Sequence, residues 1–235
     1  MPTPTPALTP TYDTGARGKP MTYVSISPGR EVDDDALAAM LPDLGLNTPF
    51  VADIMSAVLA HERCGRHLYR SVAGRTLNPL LRSKYEEFGD ETQRHAEILE
   101  GLITAMGGDP QYVSPAARAT EASDTKTLES TFLLSGSVDV MTAEMVMLDA
   151  VLAAEAIDHA NWVAMAALAP QLPAGDLADR FRAAVDEVLG EEDKHLEWAR
   201  ETRTQMITLQ ASSATMTKVA AKAEEMMAKV REWFS

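Results

Sequence analysis

Apolar positions recur at steps of three and four along most of the chain, and proline, glycine and capping residues cut that pattern into helices. Thr48 and Pro49 open the first helix, which runs to about Ala73 and stops at Gly74. Asn78 and Pro79 open the second, which runs to Gly-Gly-Asp-Pro at 107–110. A loop, QYVSPAARATEASDT, leads into a third helical stretch from about 125 to 169, interrupted near SGSVD and closed by Pro170 and Pro173. Asp176 can cap a fourth helix running to about 210. Four long helices with mostly short links predict an all-α fold arranged as an antiparallel four-helix bundle.

The flanks read differently. Six of the thirteen prolines fall within the first 28 residues, so residues 1–34 are expected to be a disordered or extended tail. The bundle then occupies 35–210, with its core over 48–210. Residues 211–235 form a separate amphipathic helix: Val219, Ala223, Met226, Val230 and Trp233 follow a three-and-four spacing, widened by Met227 and Phe234. That stripe needs a partner, either its own bundle or a second subunit.

Counting along each predicted helix exposes a shared anomaly. The first seam reads Val51, Met55, Val58, Glu62, Gly65, Tyr69, Val72, and the second Leu81, Tyr85, Phe88, Glu91 or Thr92, His95, Ile98, Leu102. The third reads Met141, Met145, Leu148, Leu152, Glu155, His159, Trp162, Ala166, and the fourth Leu177, Phe181, Ala184, Val188, Glu191, His195, Trp198. Each seam is apolar at both ends and carries Glu, His or both near its middle. The hexapeptides AVLAHE and AVLAAE place Glu62 and Glu155 in the same context.

Four such seams meeting in one core would gather carboxylates where desolvation and mutual repulsion penalise each of them. Protons or water relieve part of that cost; a divalent cation relieves it fully. Histidine nitrogen beside carboxylate oxygen suits iron, manganese or zinc. Glu192 and His195 are three residues apart and Glu91 and His95 four apart, so either pair can face one ion from one helix.

In these motifs the chain resembles the ferritin-like superfamily of di-iron and di-manganese carboxylate proteins. Its members supply one Glu from each of two helices and a Glu-x-x-His pair from each of the other two. Glu62 and Glu155 match the single-Glu helices, and Glu192 with His195 in GEEDKHLEW matches the pair. In GDETQRHAE, Thr92 stands three residues before His95, where the family has Glu. Aligned on glycine, Glu91 falls opposite Glu192 with one extra residue between it and His95, which a π-bulge would absorb. Either Glu91 takes the missing ligand's place, or one metal position is weak or empty. The resemblance implies a dinuclear iron or manganese centre held by Glu62, Glu91, His95, Glu155, Glu192 and His195, acting on dioxygen or peroxide or oxidising ferrous iron. The alternative is a bundle without metal that serves as a structural or interaction module.

Other residues carry quieter expectations. His159, one turn beyond Glu155, is placed beside the centre rather than in it, and His61 and His67 fall off the first seam and are expected at the surface. Tyr69 and Trp162, each seven residues past a seam glutamate, are expected to pack in the core. A formal charge of −14 argues against nucleic acid or an anionic membrane as partner. No apolar run is long enough for a membrane span, and the single Cys64 forms no internal disulfide and is expected to be inert, so a cytoplasmic homo-oligomer is expected.

Overall fold

The computed structural model describes residues 45–133 and 139–212, all within one compact unit that spans Asp34–Ser235. Among these residues every regular element is helical: α1 (Thr48–Arg75), α2 (Pro79–Ala105), α3 (Pro115–Ser130), α4 (Val140–Leu168), a 3-10 turn (Ala169–Gln171) and α5 (Asp176–Ser212). None of these helices is long and apolar enough to cross a membrane. The tail expected over 1–34 and the helix expected over 211–235 lie outside the described residues, apart from Ala211 and Ser212 at the end of α5.

Local chemistry sets the boundaries. The Asn78 side chain accepts from the amides of Leu80 and Leu81 ahead of Pro79, and Asp139 caps α4 through Met141 and Thr142. Past the end of α2, Gly107 takes φ 84° and the Gly108 amide reaches the Ile103 carbonyl at 2.9 Å, a turn that only a residue without Cβ enters freely.

The region expected as a loop leading straight into a third helix is instead an independent helix, α3. Ser114 caps it by accepting from the Ala117 amide, with Pro115 in its first turn. Ala117 is its one buried residue, so it carries no apolar period to betray it. Ser114 donates to the Asp53 carbonyl near the start of α1, while Arg75 at the end of α1 donates to the Thr131 carbonyl at 2.9 Å. The stretch from Ser114 to Thr131 therefore runs along most of α1.

Two apolar clusters bracket the middle of the helices. One gathers Val51, Met55, Leu59, Leu99, Trp162, Met165, Phe181 and Val188. The other gathers Leu68, Tyr69, Val72, Tyr85, Phe88, Leu148, Val151 and Ala199. Between them lies the layer where all four seams turn polar.

Candidate metal centre

Glu62 on α1, His95 on α2, Glu155 on α4, and Glu192 and His195 on α5 all reach this layer and are all buried, none more than 3% exposed. They converge as two triads, Glu62–His95–Glu192 and Glu155–Glu192–His195, each with its ligand-type atoms within 4.8 Å of one another. Glu192 belongs to both. His95 Nδ1 lies 2.9 Å from Glu192 Oε1 and 3.8 Å from Glu62 Oε2. His195 Nδ1 lies 3.4 Å from Glu155 Oε2 and 3.6 Å from Glu192 Oε1.

The opposite edges of these side chains are held from outside. His95 Nε2 bonds Glu191 Oε2 at 2.8 Å, and His195 Nε2 bonds Glu91 Oε2 at 2.6 Å. Trp162 Nε1 donates to Glu62 Oε1 and the Tyr69 hydroxyl donates to Glu155 Oε1, both at 2.6 Å. These bonds orient the inner atoms. A neutral imidazole that donates from Nε2 turns its Nδ1 lone pair inward, as a metal-binding histidine does. Glu62 Oε2, His95 Nδ1, Glu155 Oε2, both Glu192 oxygens and His195 Nδ1 are buried with no hydrogen-bond partner outside their own set. Buried polar atoms are ordinarily satisfied; here the orphans are the atoms that face one another.

Electrostatics express the same conflict. Burial pushes the Glu62 carboxyl well above its usual range, and the charge of Asp158 adds to the effect. Burial raises Glu192 strongly too, reinforced by Asp158, Glu155 and Glu62. Burial depresses His95 despite the bond to Glu191. At His195 burial also opposes the charge, but Glu155 and Glu91 overcome it and the pKa rises. Without a cation, this set of groups must hold protons.

Glu91 is not brought into either triad. Helix α2 is unbroken from Pro79 to Ala105, with no bulge between Glu91 and His95. The unbulged register turns Thr92 into the core, where its hydroxyl donates to the Phe88 carbonyl at 2.8 Å. Glu91 sits beside it, partly exposed, and orients His195 from outside. Thr92 is thus a true gap in the ring of carboxylates, and its methyl group fits against the hydrogen-only face of Gly65, where a Cβ would lie 3.4 Å away.

Asp158, a further buried carboxylate whose charge acts on Glu62 and Glu192, stands outside both triads, and sequence reasoning passed over it. It is 4% exposed, and its Oδ1 lacks a hydrogen-bond partner. Burial lifts its pKa to about 7 against the opposing pull of His61. The signal was present as Glu155-x-x-Asp158, a one-turn spacing on the same face. The two hairpins, α1–α2 and α4–α5, otherwise mirror one another: Glu62 with Glu155, His95 with His195, Glu91 with Glu191, Tyr69 with Trp162. They part where the first hairpin has Gly65 and Thr92 and the second has Asp158 and Glu192.

The expectations for His61 and His159 are both corrected. His61 is 1% exposed rather than at the surface. Its Nδ1 lies 2.8 Å from Asp124 Oδ2 of α3, and its Nε2 bonds the Ala154 carbonyl at 3.1 Å. Burial disfavours its charge, yet Asp124 and Asp158 outweigh this and raise its pKa to about 9. Off-seam in a four-helix reading, it is covered by a fifth helix. His159 turns away from the centre and pairs with Asp193 at 2.8 Å at the protein's edge. His67 is exposed, as expected. Burial, with Asp124 and Glu121 nearby, pushes the Cys64 thiol up to about 12, which keeps it protonated and unreactive. Replacing His61 with alanine leaves Asp124 and Asp158 without their cation, so His61→Ala should lose about 2–4 kcal/mol of stability. Urea denaturation measures the loss, and a midpoint equal to wild type would show that α3 is held otherwise.

Comparison with protein-family models, curated proteins and solved structures returns no match.

Proposed function

We propose that the chain is a ferritin-like four-helix bundle holding two iron or manganese ions, which it uses on dioxygen or peroxide or to oxidise ferrous iron, in an oxidative-stress or iron-handling role. The observation that carries this reading is the set of buried, partnerless oxygen and nitrogen atoms in the two triads. A protein interior tolerates such a set when a cation satisfies all its members together.

The chain's residues divide the work. Glu62 and His95 would hold one ion, Glu155 and His195 the other, and Glu192 would serve both. Asp158 adds a fourth buried carboxylate beside them, and Thr92 supplies none. Trp162 and Tyr69 each tie down one oxygen of a glutamate and leave its other oxygen facing inward. Glu91 and Glu191 keep both imidazoles in the ligand tautomer. When bound, such ions supply the electrons for reduction of an oxygen–oxygen bond. The carboxyls that burial keeps protonated would release protons as the ions enter.

Protein produced with iron or manganese available should carry about two ions per chain by elemental mass spectrometry, and the loaded form should consume peroxide or oxidise ferrous iron. The gap at Thr92 favours one competing reading, a bundle that binds no metal and acts as a structural module. Protein that stays free of metal under these conditions would overturn the metal centre and leave that reading standing.

A further inference from the structure

Helix α4 is apolar on the side that faces away from the protein. Between Ala150 and Leu168 its only acidic residues, Glu155 and Asp158, point inward, and no lysine or arginine occurs. The exposed positions over this stretch are Ala153, Ala156, Ile157, Ala160, Val163, Ala164 and Ala167, most of them at steps of three and four. Ile157 is 54% exposed and Val163 46%. A helix that is apolar all round is ordinarily covered on every side. The outer face of α5, by contrast, carries Asp186, Glu187, Lys194, Glu197 and Glu201.

The geometry points to the C-terminal segment of the same chain as the cover, and we propose that residues 213–235 dock along the outer face of α4. The salt bridge Arg203–Asp149 and the pair His159–Asp193 show α4 and α5 running antiparallel. The end of α5 at Ser212 therefore lies level with the start of α4. Beyond Ser212 the sequence has 23 residues, enough as a helix for about 35 Å. The apolar face from Ala153 to Ala167 is about 21 Å long on the same rise. The stripe Val219, Ala223, Met226, Val230 and Trp233 covers 15 residues, also about 21 Å from first to last. Residues 213–218, drawn out, turn the chain back and span the roughly 20 Å from the start of α4 to Ala153. Shape agrees with length: a row of alanines is a shallow groove, and methionine and tryptophan side chains suit it.

Limited trypsin digestion of the full chain tests this, because Lys218, Lys222, Lys229 and Arg231 lie in the segment. Ala160→Glu places a charge in the middle of the face, and Met226→Glu places one in the middle of the stripe. Either change should speed cleavage at Lys222 and Lys229 at least about tenfold, with helicity by circular dichroism and mass by light scattering unchanged. Equal cleavage in all three proteins overturns the proposal. So does a fall in mass for Ala160→Glu, which would assign the face to a second copy of the chain.

Discussion

Glu192→Ala should abolish metal binding, leaving less than a tenth of the wild-type content after gel filtration. Glu192 is the one residue shared by both triads, and neither of its oxygens has a hydrogen-bond partner outside them. Its loss takes a ligand from each position at once, and losing even a supporting group near a metal typically costs 10- to 100-fold in affinity. Glu62→Ala and Glu155→Ala each remove a ligand from one position and should leave about one ion per chain. His67→Ala, at an exposed site, should leave both. Elemental mass spectrometry on all four proteins, each checked for helicity, gives the pattern. Glu192→Ala that retains as much metal as Glu62→Ala would show that the triads do not share a ligand.

The second large effect is an inverted dependence of stability on pH in metal-free protein. Glu62 and Glu192 keep their protons in the fold at pH values where the unfolded chain has lost them. Carboxyls with raised pKa contribute stability that is complete below their unfolded pKa of 4.5 and drains away as pH rises. Asp158, at about 7, follows the same sign, and so does His61, whose contribution is lost as pH passes through about 9. His95 pulls the other way, its pKa depressed by burial. The melting temperature of metal-free protein should therefore fall by about 5–10 °C between pH 5 and pH 8. Glu192→Gln should flatten the fall, and iron or manganese should reverse it, since metal ions and protons compete for the same atoms. Calorimetry at several pH values decides it; a melting temperature that climbs with pH in metal-free protein would contradict the buried-proton account.

The helices were legible because long apolar periods survive in α1, α2, α4 and α5; Glu62, His95, Glu155 and His195 lie on those periods, and Glu192, one place past the counted Glu191, was reached through its Glu-x-x-His spacing to His195. Each miss has a physical reason. α3 makes its contacts through small and polar groups, so no period announces it, and His61 could be placed only once α3 was known to cover it. Glu91 was misplaced because a seam counted in threes and fours accepts either Glu91 or Thr92, and only the unbroken hydrogen-bonding of α2 chooses between them. Asp158 was overlooked because the step of four from Glu155 reaches His159 first. For α3 and His61 the deciding contact lies between helices distant in sequence, where no single-helix pattern reaches.

The uneven division of acidic residues between the two hairpins bears on the order of folding. Each hairpin joins neighbouring helices through a short link and can form from local encounters. The first contributes Glu62 alone to the inner ring and can close without repulsion. The second brings Glu155, Asp158 and Glu192 onto its own inner surface before any partner arrives. At neutral pH the α1–α2 hairpin is thus the natural template. The α4–α5 hairpin is expected to settle last, once its acids have taken up protons or found a cation.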